Sequence, residues 1–123
     1  MKWTEATSEN CPVAKSLAIF GDRWTLLIIR NAFLGMTRFE QFQKQLGITR
    51  HVLSERLNRL VEQEILLKVP YVERQQRFEY VLSEKGQALE PVLLSMMHWG
   101  LTWTDATLSE IMHQKLIQLG KIS

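Results

Sequence analysis

GITRHVLSERLNRLVEQEIL runs from Gly47 to Leu66 and sets the architecture around it. Val52, Leu53, Leu57, Leu60 and Val61 recur at spacings of three and four, the pattern of a helix with one buried stripe. Thr49 is suited to cap that helix, because its hydroxyl can accept from a first-turn amide. If Leu53, Leu57 and Leu60 pack inward, the other side holds His51, Ser54, Glu55, Asn58 and Glu62. Arg50 then stands in the first turn, and Arg56 and Arg59 lie on the flank. Such a face mixes donors and acceptors instead of carrying one sign of charge. One reading is a solvated surface helix with Glu55 and Arg59 paired at i, i+4. The other is a helix that hydrogen-bonds a partner.

Upstream, TRFEQFQKQLG reads as a shorter helix that Gly47 stops. Thr37 and Glu40 fit a capping box, and Phe39, Phe42 and Leu46 share one face. Before it, RWTLLIIRNAFL gives a strongly apolar helix through Trp24, Leu27, Ile28 and Leu34, ending at Gly35, with Asp22 and Arg23 at its start. CPVAKSLAIF supplies a first helix with Val13, Leu17 and Phe20 on its apolar side and Pro12 in its first turn. Downstream the period changes from helical to alternating. LLKVPYVER and RFEYVLS read as two strands around a polar RQQR turn. Ser83 is expected to cap a last long helical region, kinked at Pro91 and interrupted at Gly100. A short helix, a tight glycine turn and a longer helix form a helix-turn-helix, and the hairpin after it forms a wing. The expected fold is therefore mainly α with a small β-hairpin wing.

Bulk properties bound the function. A chain of 123 residues with 46% apolar content is one domain's worth and can build a core. The net charge of +2 is only weak support for a nucleic-acid partner. One cysteine cannot form an internal disulfide, which fits a reducing compartment. The N-terminal stretch does not read as a secretory signal, and apolar runs such as LLII are too short to span a bilayer. The expectation is a soluble, cytoplasmic protein with no membrane partner. Catalysis finds little support. His51, His98 and His113 are far apart and lack metal-ligand spacing with Cys11, no glycine-rich phosphate loop occurs, and SEKG has no base network beside it. No enzyme activity, cofactor or metal is expected.

DNA suits the polar helix face better. An α-helix fits the major groove and reads bases mainly from its N-terminal part, where Arg50, His51 and Ser54 stand. Arginine can bond guanine O6 and N7 together, and an asparagine such as Asn58 can pair with adenine. Arg74 and Arg77 flank the wing turn, where arginines suit phosphates or a narrow minor groove. Residues 37–80 hold eight Lys/Arg against six Asp/Glu, so arrangement matters more than total charge. The alternative is a winged helix that binds a protein partner instead. Steep weakening by salt would distinguish DNA binding from it.

From Cys11 to about Gly100 the chain resembles the HxlR-type transcriptional regulators, bacterial winged-helix proteins related to the MarR group. CPV, GDRWTLLIIR, RFEQFQKQLGIT leading into LSERLNRLVE, RFEYVLSEKG and PVLLSMMHWG carry the resemblance, in that order. The chain departs from the pattern at Glu64, where the family usually has glycine, and at Gln75 and Gln76, where the wing often has prolines. The resemblance implies a homodimer, acting as a repressor on a roughly palindromic double-stranded operator. It implies a DNA-binding part at about 23–83 and dimerisation helices at about 11–20 and 84–119, all within one domain spanning 1–123. Thr49, Arg50, His51, Ser54 and Asn58 would touch bases or nearby phosphates, and Arg38, Arg74 and Arg77 would hold the backbone. Independently, Trp99, Leu101, Trp103, Leu108, Ile111 and Met112 are too apolar to be left in water and point to the dimer interface. The competing reading is that they complete the protomer's own core. Cys11 matches a cysteine that some family members use to sense oxidants or electrophiles, and a helix N-terminus beside it would favour the thiolate. The plain alternative is an inert thiol at a buried helix start. A small-molecule effector, held between the dimer helices and the winged core, is the other candidate signal.

Overall fold

The computed structural model describes residues 10–71 and 77–122. Among the described residues nine elements follow in order: α1 (Pro12–Phe20), α2 (Thr25–Phe33), α3 (Phe39–Leu46), α4 (Arg50–Glu62), β1 (Leu66–Pro70), β2 (Phe78–Leu82), α5 (Glu84–Gln87), α6 (Glu90–Trp103) and α7 (Glu110–Gln118). This is the expected helical fold with a two-stranded wing.

Pro12 opens α1 as expected, but the buried side differs. Ala14 and Ala18 are buried, Leu17 and Phe20 are half-buried, and Val13 is 66% exposed. The small alanines leave room for the α1 backbone to meet α4, where the Ala18 carbonyl accepts from Arg59 Nη2 at 2.9 Å. Asp22 starts α2 by accepting from the backbone N–H groups of Trp24 (3.1 Å) and Thr25 (3.2 Å) and from the Thr25 hydroxyl.

The capping box expected at Thr37 and Glu40 does not form. The Thr37 carbonyl is taken by the N–H of Tyr80 in β2 at 2.7 Å, so Thr37 is held beside the wing. The helix starts at Phe39 instead, and Gln41 Oε1 accepts from the N–H groups of Thr37 and Arg38, both at 3.0 Å. Gly47 closes α3 in the left-handed region, at φ 64°. Ile48 is buried in the turn, and Thr49 Oγ1 caps α4 by accepting from Val52 N–H at 3.3 Å. Leu53, Leu57 and Leu60 are buried as expected, with Val52 and Val61 packed beside them.

α4 ends at the position where glycine was expected. Glu64 has φ 61°, the one positive value at a non-glycine among the described residues. Its N–H bonds the Val61 carbonyl (3.0 Å), and that of Ile65 bonds the Leu60 carbonyl (2.9 Å), a Schellman ending with glutamate in the left-handed place. The chain then enters an antiparallel ribbon in which Leu66 faces Leu82 and Pro70 faces Phe78. Ser83 Oγ donates to the Ile65 carbonyl and accepts from Gly86 N–H, both at 3.0 Å. A Cβ on Gly86 would lie 2.3 Å from the Ile65 carbonyl oxygen, so α5 can cross there only with glycine.

The C-terminal helices break at other points than expected. Pro91 stands in the first turn of α6, where its missing N–H costs nothing, and does not kink a longer helix. Gly100 lies inside α6, which ends at Trp103; Ser109 then caps α7. The main core joins Ile28 and Ile29 of α2, Phe42 of α3, the α4 leucines, Leu66 of β1 and Tyr80 of β2. It fixes α3, α4 and the wing as one body. No helix among the described residues is long and apolar enough to cross a membrane.

Candidate nucleic-acid interface

The outward face of α4 carries Arg50, His51, Ser54, Glu55 and Asn58, all exposed. Its first two turns hold all of them except Asn58, which follows one turn later. The flanking arginines turn inward. Arg56 Nε donates to Asp22 Oδ2 at 2.9 Å and its Nη1 lies 2.7 Å from Glu55 Oε1, while Arg59 reaches Ala18. Glu55 thus pairs with its neighbour, and Arg56 and Arg59 give two ties from α4 to the elements behind it.

Asp22 is the hub of these ties. Burial pushes its carboxyl upward, but the hydrogen bonds from Thr25, Arg56 and Trp24, with the Arg56 charge, outweigh that and hold it below the usual carboxylate value. It stays ionised and holds the Arg56 side chain against the start of α2.

Three arginines converge on the start of α3. The Arg50 guanidinium lies over the Phe39 ring, 4.7 Å from its centroid. Arg38 lies over the Tyr71 ring at 4.3 Å and 3.9 Å from Glu79 Oε1. Arg77 is 3.3 Å from Glu40 Oε1. Arg38, Arg50 and Arg77 are exposed, and their partners are rings or solvated carboxylates, so each contact is weak enough to be exchanged for a phosphate or a base. Thr49 joins them at the exposed N-terminus of α4, where free amides and the helix dipole favour an anion. Arg74 lies outside the described residues, as do Gln75 and Gln76.

The remaining expected residues fall elsewhere. Cys11 is exposed and occupies the N-cap position of α1, far along the chain from the α4 face. Trp99 and Trp103 are 63% and 73% exposed, and Leu101 and Ile111 are exposed too, while Leu108 and Met112 are half-buried against a cavity behind α2. The apolar C-terminal set therefore divides between an open surface and the protomer's interior. Among the described residues no three His, Cys, Asp or Glu side chains are grouped as for a metal ion.

Sequence reasoning missed Asp22–Arg56 and Arg59–Ala18, which join residues 34 and 41 apart. An aspartate just before an apolar helix signalled only the cap; nothing in the spacing signalled the arginine that returns to it. It also missed Asn31, fully buried in α2, because a polar residue in an apolar run looks like a surface position.

A helix-turn-helix with a two-stranded wing and an exposed polar second helix defines the winged-helix class. Within that class the chain belongs to the HxlR-like helix-turn-helix family, whose pattern matches residues 19–108. It is 46% identical over 92 residues to an HTH-type transcriptional regulator of Mycobacterium tuberculosis, covering 75% of this chain and 58% of that one. The chain thus spans less than two thirds of the length of the mycobacterial relatives. YdeP of Bacillus subtilis, another HTH-type transcriptional regulator, is 34% identical over 98 residues, covering 79% of this chain and 77% of that one. Among solved structures, PA1607, described as a candidate transcription factor, superposes with TM-score 0.77 and 40% identity over 86% of this chain and 74% of that one. The redox regulator HypR in its oxidised form superposes with TM-score 0.70 and 31% identity over 78% of this chain and all of that one (100%).

Proposed function

We propose that the chain is a sequence-specific DNA-binding transcriptional regulator that acts as a homodimer, as a repressor, on a palindromic operator. The observation that carries this reading is the division of labour on α4. Its inner arginines are tied to Asp22 and Ala18, while Arg50, His51, Ser54 and Asn58 are left exposed toward solvent. In the proposed complex α4 enters the major groove, and Thr49, Arg50, His51, Ser54 and Asn58 meet bases or adjacent phosphates. Arg38 and Arg77 hold the sugar–phosphate backbone, helped by Arg74 at the wing. The exposed tryptophans of α6 and Ile111 of α7 form the dimer contact together with α1. Two copies related by a two-fold axis then place their α4 helices about 34 Å apart, one turn of DNA.

The signal in this reading reaches DNA through α1. Cys11 stands at the N-cap position of α1, and α1 is hydrogen-bonded to α4 through Ala18 and Arg59. Two Cys11 thiols, one from each protomer, would give two electrons and two protons to an oxidant as they form a disulfide. The similarity to a redox regulator supports this.

The test is a gel shift with DNA from upstream of the protein's own gene and with genomic fragments, at about 50 and 200 mM salt, where phosphate contacts make binding fall steeply. Adding diamide, beside a Cys11→Ser control, tests the thiol. Selective, salt-sensitive binding supports DNA recognition, and its loss with diamide in the wild type alone supports the switch. Absence of selective binding to any fragment would transfer the α4 face to a protein partner.

A further inference from the structure

Arg38, Arg50 and Arg77 gather along one side of α4, the side that borders the start of α3. The other side of α4 faces the start of α2. Arg56 follows Arg50 by six residues, which at about 100° per residue places it roughly 120° round the helix. The buried stripe of Leu53, Leu57 and Leu60 lies between the two arginines. Arg56 therefore marks the opposite flank, and there its Nε meets Asp22 Oδ2 at 2.9 Å. That bond ties the chain at residue 22 to the second turn of α4. The next residue, Arg23, is exposed.

Arg23 is built like the arginines on the first flank. Its guanidinium lies over the Trp24 ring, 4.6 Å from the centroid, as Arg38 lies over Tyr71 and Arg50 over Phe39. Trp24 is half-buried and packed against the main core, so the ring is a fixed platform. A stacked guanidinium spends one face on the ring and keeps the N–H donors in its own plane for an anion. The two acids nearby are already answered. Asp22 accepts from Arg56 Nε and from two α2 amides, and Glu55 Oε1 lies 2.7 Å from Arg56 Nη1. Arg23 itself meets no carboxylate among the described residues.

We infer that Arg23 is a phosphate-binding residue of the DNA interface, gripping the sugar–phosphate strand on the side of the major groove opposite the strand that Arg38 and Arg77 meet. The inference rests on the DNA reading proposed above. A helix seated in the major groove has a backbone on each side of it. Phosphate contacts set register and orientation, and contacts on both sides fix the tilt of α4 where contacts on one side leave it free to roll. Asp22 and Arg56 position Arg23 for this role. They hold the start of α2 against α4, so the distance from Arg23 to the reading face does not depend on the wing.

Fluorescence anisotropy of the full chain on a mixed-sequence duplex of about 30 base pairs, long enough for two half-sites one turn apart, tests the contact. For each protomer bound, Arg23→Gln should weaken binding about tenfold at about 50 mM salt and lower the slope of log affinity against log salt by about one. Arg23→Lys should restore the slope, because the charge returns, but only part of the affinity, because the planar fork does not. Urea unfolding of Arg23→Gln should stay close to the wild-type midpoint, since an exposed cation–ring contact contributes little. Ethylation interference on the fragment upstream of the protein's own gene locates the contact. The phosphates whose effect disappears in Arg23→Gln should lie across the major groove from those that disappear in Arg77→Gln. An unchanged salt slope in Arg23→Gln overturns the inference, and a lowered urea midpoint beside it shows that Arg23 only covers Trp24. Loss of the same phosphates in both variants overturns it too. Absence of salt-sensitive binding by the wild type overturns the DNA reading beneath it, so the two failures are told apart.

Discussion

Replacing Asp22 with alanine removes four interactions at once: two amides and a hydroxyl at the start of α2, and the Arg56 guanidinium that ties α4 in place. Loss of a helix cap costs about 1 kcal/mol. The ion pair is neither exposed nor deeply buried, since both side chains are 18% exposed. Its loss should lie between the surface value of under about 1 kcal/mol and the several kcal/mol of a deeply buried pair. Together the substitution should lower stability by about 2–4 kcal/mol. Asp22→Asn keeps the cap's carbonyl oxygen and loses only the charge, so it should cost about 1–2 kcal/mol. Urea unfolding followed by circular dichroism at fixed protein concentration measures both, with an unchanged m-value showing that stability alone moved. The pH dependence has a definite sign. The folded carboxyl titrates below its ordinary value of 3.8, so its contribution is complete above that pH and is lost as pH falls through the folded value. The difference between wild type and Asp22→Asn should therefore be constant from neutral pH down to about 5 and shrink below 4. A loss under about 0.5 kcal/mol for Asp22→Ala, or a difference that grows on acidification, would show that Asp22 does not hold α2 and α4 together in this way.

Other substitutions test separate parts of the account. Glu64→Gly relieves a left-handed residue at the end of α4 and should raise stability by up to about 1 kcal/mol in the same urea assay, since the strain removed exceeds the added freedom of the unfolded chain. Phe42→Ala empties the centre of a fully buried cluster and should cost about 3–5 kcal/mol, seen as a large drop in the urea midpoint. Trp99→Glu with Trp103→Glu should leave the winged core folded but convert the proposed dimer to a monomer in sedimentation, because both tryptophans are exposed in the single chain.

The elements legible in the sequence are those whose signals are local. Leucines 53, 57 and 60 declared the inner face of α4, Thr49 its cap, and Gly47 the turn before it, because each needs only its near neighbours. The errors came where distant groups intervene. Thr37 has the chemistry of a cap, but β2 takes its carbonyl through Tyr80, and the start of α3 passes to Gln41. Pro91 looks like a kink until α5 ends early enough to make it a first-turn residue. Glu64 shows the opposite case: the family pattern marked a glycine place, and the glutamate there still adopts the left-handed backbone. Arg38, Arg50 and Arg77 were individually legible as candidate contacts. Their gathering around Phe39 and Glu40 was not, since it depends on how the wing folds back onto α3. Arg30 gave no sequence signal, because only the packing of α6 and α7 places it at the wall of a cavity.

DNA recognition by the α4 face is tested by comparing Arg50→Ala and Arg77→Ala on one operator duplex across a salt series. Fluorescence anisotropy would report affinity for the operator and for a scrambled duplex. Arg50→Ala should weaken operator binding by about 1–3 kcal/mol and narrow the gap between operator and scrambled DNA. Arg77→Ala should weaken both alike and reduce the salt slope by about one. If both variants bind like the wild type, the α4 face and the start of α3 are not the surface that meets DNA.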